Sequence, residues 1–128
     1  MMIRFTKEVN TKPINITVLC LGDDLIVSLS GGDIEHIGAA ALAVPRASLA
    51  DKNKISSTAS VLCLRGHKED ETAKKIALHL AAELNANVLA VVGVHYNYAV
   101  PKMINNFERE IDSIIKEIII HIKYDKVR

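Results

Sequence analysis

The stretch GGDIEHIGAAALAVPRASL, residues 31–49, sets a charged, glycine-rich segment directly before a run of small apolar residues. Residues 31–36 contain two glycines, two acids and a histidine, which is typical of a loop that either turns the chain or holds a ligand. Residues 38–44 are bounded by Gly38 and Pro45 and are short for a helix. We therefore predict a strand there, although alanine alone favours helix.

Alternation of apolar and polar residues predicts strands on either side of this stretch. Ile14, Ile16 and Val18, for example, alternate with polar residues at a period of two. The strands predicted in this way or from short apolar runs are residues 3–9, 14–20, 25–29, 59–64 and 88–94. The second and third of these form a hairpin around residues 22–24, whereas residues 45–56 are predicted to be a polar loop.

Two helices are predicted in the second half of the chain. The first begins near Glu69, where three acids in the first turn favour the positive end of the helix dipole, and it ends at residues 85–87. The second begins at Pro101, a residue suited to the first helical position, and its isoleucines recur every three or four residues. Ile119 and Ile120 widen this apolar stripe beyond what one sheet face needs. The surplus indicates either a subunit interface or a helix buried on two sides of its own domain.

This order of elements predicts an α+β fold or a mixed α/β sandwich, with both helices on one face of the sheet. The length of 128 residues suits a single domain, residues 1–128. Hydrophobic residues make up 49% of the chain and aromatic residues only 4%, so the core is expected to be aliphatic.

Charge and cysteine content restrict the classes of partner and compartment. The formal net charge is +1 with acids and bases mixed along the chain, which gives no electrostatic case for nucleic acid or a membrane surface. No stretch approaches the roughly 18 apolar residues of a membrane span. Cys20 and Cys63 lie in strand-like apolar runs, and we expect two buried thiols in a cytoplasmic protein.

Three of the five histidines, His36, His67 and His95, lie where a predicted strand meets another element. Neutral imidazoles there suit a shared metal site, although their spacing gives no geometric support. Gly66 and Lys68 flank His67 just before a helix, a position that suits an anionic ligand. A third interpretation is structural, in which the histidines tie loops down through hydrogen bonds. The sequence leaves these three interpretations open.

Motifs for nucleophilic or nucleotide chemistry are missing from the sequence. There is no Gly-x-Ser-x-Gly elbow, no Gly-x-x-x-x-Gly-Lys-Ser/Thr loop and no Gly-x-Gly-x-x-Gly fingerprint. No motif in the sequence therefore supports nucleotide hydrolysis or dinucleotide binding.

Three segments in order are specific enough to show a family resemblance: GGDIEHIGAAALAVPRASL, SVLCLRGHKEDETAKKIA and VVGVHYNYAVP. Together they resemble the small accessory subunit of gallate-type decarboxylases, the prenylated-flavin chaperone family. The resemblance runs from about Val18 to Ile118. It implies a fold similar to that of proteasome assembly chaperones, with a mixed, mainly antiparallel sheet and two helices.

The family's members are associated with enzymes that add or remove carboxyl groups on aromatic acids using prenylated FMN. The resemblance implies that this protein assists the cofactor or its enzyme without catalysing decarboxylation. The implied ligand is prenylated FMN or FMN, and the implied partner is the decarboxylase catalytic subunit.

The positions expected to bind the cofactor lie within the three family motifs, and all but Asn97 match the family pattern. They are Gly31, Gly32, Asp33, His36, Gly38, Arg46, Gly66, His67, Lys68, His95 and Asn97. Glu69 and Gly93 match the pattern too but are not assigned to the cofactor. Two positions depart from the family pattern: Asn97 replaces an expected aspartate, and Val100 replaces an expected serine or threonine cap. The first change removes a charge and puts any acid–base or metal role at that position in doubt.

Three functions follow from the sequence. The leading one, which the resemblance implies, is a non-catalytic chaperone or accessory protein that binds a flavin-type ligand or a decarboxylase subunit and forms a homodimer. The second is a small enzyme that uses His36, His67 and His95. The third is a protein-assembly module that acts through the isoleucine face of its last helix. The small residues 38–41 suit the close approach of a flat ring or a second subunit, or of a packed helix.

Overall fold

A computed structural model describes residues 1–64 and 69–127, with side chains through residue 125. The elements in chain order are β1 Met2–Val9, β2 Lys12–Leu21, β3 Asp24–Gly32, β4 Ile34–Ala47, β5 Ile55–Cys63, α1 Glu69–Leu84, β6 Val88–His95 and α2 Pro101–Val127. All the strands and helices predicted from the sequence are present, and the starts predicted for the two helices, near Glu69 and at Pro101, are confirmed.

The six strands form one mixed sheet in the order β1-β2-β3-β6-β4-β5. Every neighbouring pair is antiparallel except β3 and β6, which are parallel. The predicted α+β class with a mainly antiparallel sheet is therefore confirmed. Because β3 and β6 run the same way, both end at the same edge of the sheet, and β4 begins there.

One face of the sheet is buried and the other is open. The register aligns Ile16 with Leu29, Leu29 with Val92 and Val92 with Ala39, and all four side chains are buried. Helix α1 packs on β4, β5 and β6, while α2 contacts α1 and β1. Both helices thus cover the same face, as predicted.

The alanines of the opening stretch serve helix packing. Ala39, Ala41 and Ala43 are fully buried on the face where α1 contacts β4. Their short side chains let the helix approach the strand closely. Ala40 and Leu42, between them, point to the open face and are partly or largely exposed.

The strand boundaries differ from the prediction in two places. Residues 31–36 are predicted to form a polar loop, but β3 continues to Gly32 and β4 already begins at Ile34. The predicted loop at 45–56 is also wrong at both ends, because β4 continues to Ala47 and β5 begins at Ile55. Beyond Ala43, β4 pairs with β5 alone, so Pro45 breaks no hydrogen bond to β6.

The cysteines are thiols, as expected, but they are less buried than predicted. Cys20 is half-buried on β2, and Cys63 is exposed at the end of the edge strand β5. Among the residues described, neither helix is long and apolar enough to cross a membrane.

Most of the isoleucine stripe on α2 is covered by the chain itself. The buried members are Ile111, Ile114, Ile115, Ile118 and Ile122. Ile119 is half-buried, and Ile120 is 67% exposed. Helix packing within the fold therefore accounts for the stripe from Ile111 to Ile122 except at Ile120, whereas Ile104 near the start of the helix is also exposed.

The open face of the sheet is also apolar along its middle. Leu19, Ile26, Leu89 and Leu42 lie side by side on four neighbouring strands. Leu42 is 47% exposed, and Leu62 on β5 is 77% exposed. We call the surface formed by Leu19, Ile26, Leu89, Leu42 and Leu62 the open-face row.

Ile118 and Ile120 provide a matched test of which side of α2 is buried. We expect Ile118→Ala to lower the free energy of unfolding by about 2–5 kcal/mol, because the residue is fully buried. Ile120→Ala should change it by less than about 0.5 kcal/mol, since that side chain is largely exposed. Chemical denaturation measures both, and equal losses would contradict this placement.

Candidate functional site

The chain wraps around the end of β6 within three residues. Gly32 pairs with His95 on one side of β6, and Ile34 pairs with the same residue on the other. Asp33 lies between them and donates its backbone N–H to the carbonyl of His95 at 2.6 Å. This crossing brings the first family motif against the last.

Both glycines of the crossing are required by geometry. Gly31 and Gly32 have φ angles of 149° and 77°, which side-chain-bearing residues rarely adopt. A Cβ atom at Gly31 would overlap the carbonyl oxygen of Pro13, and one at Gly32 would overlap that of His95. The Gly-Gly pair thus permits close backbone approach at the sheet edge.

The Asp33 carboxylate ties the loop after β6 to the crossing. It accepts the backbone N–H of Asn97 at 2.8 Å and lies 3.2 Å from Lys12 Nζ. The Asn97 hydrogen bond, and then Lys12, hold the pKa of Asp33 below its ordinary value of 3.8. Asn97 also contacts His95, whose Nε2 lies 3.1 Å from the amide oxygen Oδ1. Asp33, His95 and Asn97 therefore form one connected group.

Glu69, the first residue of α1, links three elements. Its Oε1 lies 2.8 Å from His36 Nε2 and accepts the backbone N–H of Val94 at 3.2 Å. His36 lies in the irregular part of β4, between Glu35 and Ala39, where the pairing with β6 shifts register. One carboxylate thus holds together the start of α1, the start of β4 and the end of β6.

Two further glycines make room for this contact. A Cβ atom at Gly38 would overlap the Glu69 carboxylate, and one at Gly93 would overlap the carbonyl oxygen of His36. Glu69 Oε2 is buried against Gly38 without a hydrogen-bond partner among the described residues. We call Gly38, Glu69, His36 and Gly93 the glutamate lock.

The described part of the site is acidic. Asp33, Glu35 and Glu69 all lie near the end of β6, and Lys12 is paired with the first of them. The Glu35 carboxylate accepts hydrogen bonds from Asn15 at 2.7 Å and from Ser30 at 3.1 Å. The predicted anion-binding residues Gly66, His67 and Lys68 lie outside the described residues.

The structure brings most of the predicted site residues together at one edge of the sheet. They are Gly31, Gly32, Asp33, His36, Gly38, His95 and Asn97. Arg46 is not among them, because β4 has by then run past Val88, the opposite end of β6. Arg46 instead bonds to Thr58 Oγ1 at 2.8 Å. Within the described ranges, no group of three histidine, cysteine or acidic side chains is arranged to hold a metal ion.

A cavity of about 550 Å³ opens beside His95, between α1, the loop after β6 and α2. Its described lining residues are Glu69, Glu71, Thr72, Val94, His95, Tyr96, Ala99, Ile104, Phe107 and Glu108. Tyr96 and Phe107 meet edge to face with ring centroids 6.2 Å apart, and the Tyr96 hydroxyl donates to the Val9 carbonyl at 3.0 Å. Burial raises the pKa of Tyr96. We call this cavity the α1–α2 pocket.

Sequence reasoning missed Glu69 as a site residue and missed the pocket. The three acids of the first turn were explained by the helix dipole, which left no reason to single out one of them. The usable signal for Glu69 was its match to the second family motif. For the pocket, the signals were Tyr96 beside a site histidine and Phe107, one of only two phenylalanines in the chain.

The glutamate lock predicts that Gly38 and Glu69 are energetically coupled. Gly38→Ala should displace the Glu69 carboxylate and lower the free energy of unfolding. In a Glu69→Ala background the same change should cost about 1 kcal/mol less, because the new Cβ no longer meets a carboxylate. Denaturant unfolding of the four proteins measures the coupling.

Gly22→Ala is the matched control for this cycle, because a Cβ there meets nothing within 4 Å. The loss of unfolding free energy that it causes comes from a φ of 62°. This loss should be the same with Glu69 present and in the Glu69→Ala variant. Equal costs of Gly38→Ala with and without Glu69 would contradict the lock.

Comparison with known proteins bears on the fold and the family of the chain. No curated protein sequence matches the chain. A chain from the crystal structure of a chaperone complex for yeast 20S proteasome assembly has a similar fold, with a TM-score of 0.52 and 13% identity over 91% of this chain and 94% of that one. The expected proteasome-assembly-chaperone fold is thereby confirmed. The family model for the prenylated flavin chaperone LpdD-like domain matches residues 8–123. The chain therefore belongs to the family of LpdD-like prenylated flavin chaperone domains.

Proposed function

We propose that the protein is a non-catalytic chaperone that holds prenylated FMN for an aromatic-acid decarboxylase. The observation that carries this proposal is the family match over residues 8–123, together with the meeting of the first and last family motifs at the end of β6. A cavity of a size usual for small-molecule sites adjoins that point. The partner is the decarboxylase catalytic subunit, which takes over the cofactor.

The hydrogen bonds made by the Asp33 and Glu69 carboxylates favour ligand binding over catalysis. Asp33 bonds to Asn97 and Lys12, and Glu69 bonds to His36 and Val94. These contacts fix the shape of the site and engage Asp33 and one oxygen of Glu69 within the protein, while Glu69 Oε2 is buried against Gly38. A cytoplasmic location accords with the thiol state of both cysteines.

Ligand titration tests the proposal. Purified protein is titrated anaerobically with reduced prenylated FMN, with reduced FMN as the comparison ligand, and binding is read by absorbance and native mass spectrometry. We expect saturable binding of the prenylated ligand. His95→Gln should weaken it roughly fivefold to tenfold, as the loss of one hydrogen bond of about 1 kcal/mol implies.

The control for this titration is His79→Gln, which changes an exposed histidine on α1 and should bind like the wild type. Failure of the wild type to saturate would sink the chaperone proposal. Steady consumption of an aromatic acid by the isolated protein, abolished by His36→Gln, would favour the small-enzyme alternative.

A protein-binding surface is the second part of the proposed function. We infer that the protein forms a homodimer through the open-face row, because that row is the apolar surface that the two helices leave uncovered. The similar fold from yeast was solved as part of a chaperone complex, which favours an assembly surface here as well. On the isoleucine face of α2, by contrast, Ile120 alone stays largely exposed between residues 111 and 122.

Light scattering after size exclusion separates the two surfaces. The wild type should be a dimer, and Leu42→Glu should convert it to a monomer by placing a charge in the open-face row. Ile120→Glu should leave the dimer intact. A monomer from Ile120→Glu alone would move the interface to α2, and a monomeric wild type would contradict the homodimer.

A further inference from the structure

The α1–α2 pocket has an apolar body. Val94, Tyr96, Ile104 and Phe107 line it, and the edge-to-face contact of the two aromatic rings gives it a rigid wall. Ile104 is 43% exposed even though it lines the cavity, so an apolar side chain is open to solvent there. Such a surface gains free energy when an apolar group covers it.

Charges at the pocket argue against a phosphate inside it. Glu69, Glu71 and Glu108 all line the cavity, and its described lining contains no lysine or arginine. Three carboxylates repel a phosphate dianion, most strongly where low-dielectric walls limit screening. An uncharged hydrocarbon group meets no such penalty.

His95 joins this pocket to the residues of the family motifs. Its ring lines the cavity, and its Nε2 bonds to Asn97 in the group that also contains Asp33. A ligand seated here would therefore place an apolar part between the helices and a polar edge against these hydrogen-bonding side chains.

We propose that the α1–α2 pocket receives the isoprenoid-derived hydrocarbon ring of prenylated flavin, with the phosphate end outside, and that it is the element that distinguishes prenylated FMN from FMN. The inference rests on the proposed function, because it takes prenylated flavin as the ligand. The added ring is the chemical difference between the two flavins, and burial of its carbon atoms supplies the preference.

The test measures the ratio of the two affinities. Reduced prenylated FMN and reduced FMN are titrated anaerobically against the wild type, Ile104→Gln and the control Ile120→Gln. The control makes the same chemical change on the same helix, at an exposed residue away from the pocket. We expect the wild type and the control to prefer the prenylated ligand by at least about tenfold.

Ile104→Gln should reduce this preference to about twofold or less while its affinity for FMN stays at the wild-type value. An unchanged ratio in Ile104→Gln would overturn the pocket assignment and leave the proposed function standing, since the flavins still bind. Absence of binding of either flavin to the wild type would overturn both.

An uncharged fluorescent probe, N-phenyl-1-naphthylamine, examines the pocket independently of flavin affinity. We expect the probe to bind the wild type, to lose affinity in Ile104→Gln, and to be displaced by prenylated FMN but not by FMN at equal occupancy. Probe that remains bound when prenylated FMN saturates the protein would overturn the inference, because the probe and the ligand would then occupy different sites. Matching thermal unfolding curves for the three proteins confirm that folding is unaffected.

Discussion

The pairing of His95 with two strands at once is the constraint on which the rest of the site depends. Because β3 and β6 are parallel and β4 returns on the other side of β6, the chain must pass around the end of β6. Gly32 and Ile34 both pair with His95, so Asp33 is the single residue that connects β3 to β4 around the end of β6. A crossing this short excludes a side chain at Gly32 and fixes the Asp33 carboxylate beside Asn97. The backbone of β2 excludes one at Gly31. Sheet topology thus sets the geometry of the polar group before any ligand is considered.

A second constraint holds α1 in place and so opens the cavity. The Glu69 carboxylate anchors the first residue of the helix to β4 and β6, while Lys75 further along pairs with Asp112 of α2 at 2.6 Å. At the other end of the space, Tyr96 is tied to the Val9 carbonyl and packs on Phe107. Different contacts therefore hold the starts of the two helices, which meet further along at Lys75 and Asp112, and the space between their starts remains as a pocket.

The regular elements were predictable from local patterns in the sequence. Period-two alternation in β2 and the Pro101 start with recurring isoleucines in α2 depend on neighbours a few residues apart. The start of β4 was not predictable in this way. The charged residues around Glu35 are typical of a loop, but they form a strand in which the Glu35 carboxylate accepts hydrogen bonds from Asn15 and Ser30. The contact between Glu69 and Gly38 joins positions that no local pattern relates. The sequence could not tell whether the histidines of the motifs converge, because their loops lie far apart in the chain. The pocket likewise depends on how the two helices pack and not on a local pattern.

The glutamate lock also bears on how this family can change over time. A side chain at Gly38 fits only if the Glu69 carboxylate leaves, and one at Gly93 fits only if the His36 backbone moves. Substitutions at these four positions are therefore not independent events. Among relatives, loss of the glycine at position 38 should accompany a shorter residue at position 69, and the histidine at 36 should follow that acid. The four positions would then change together, so an alignment of relatives should show correlated substitutions among them rather than one invariant residue.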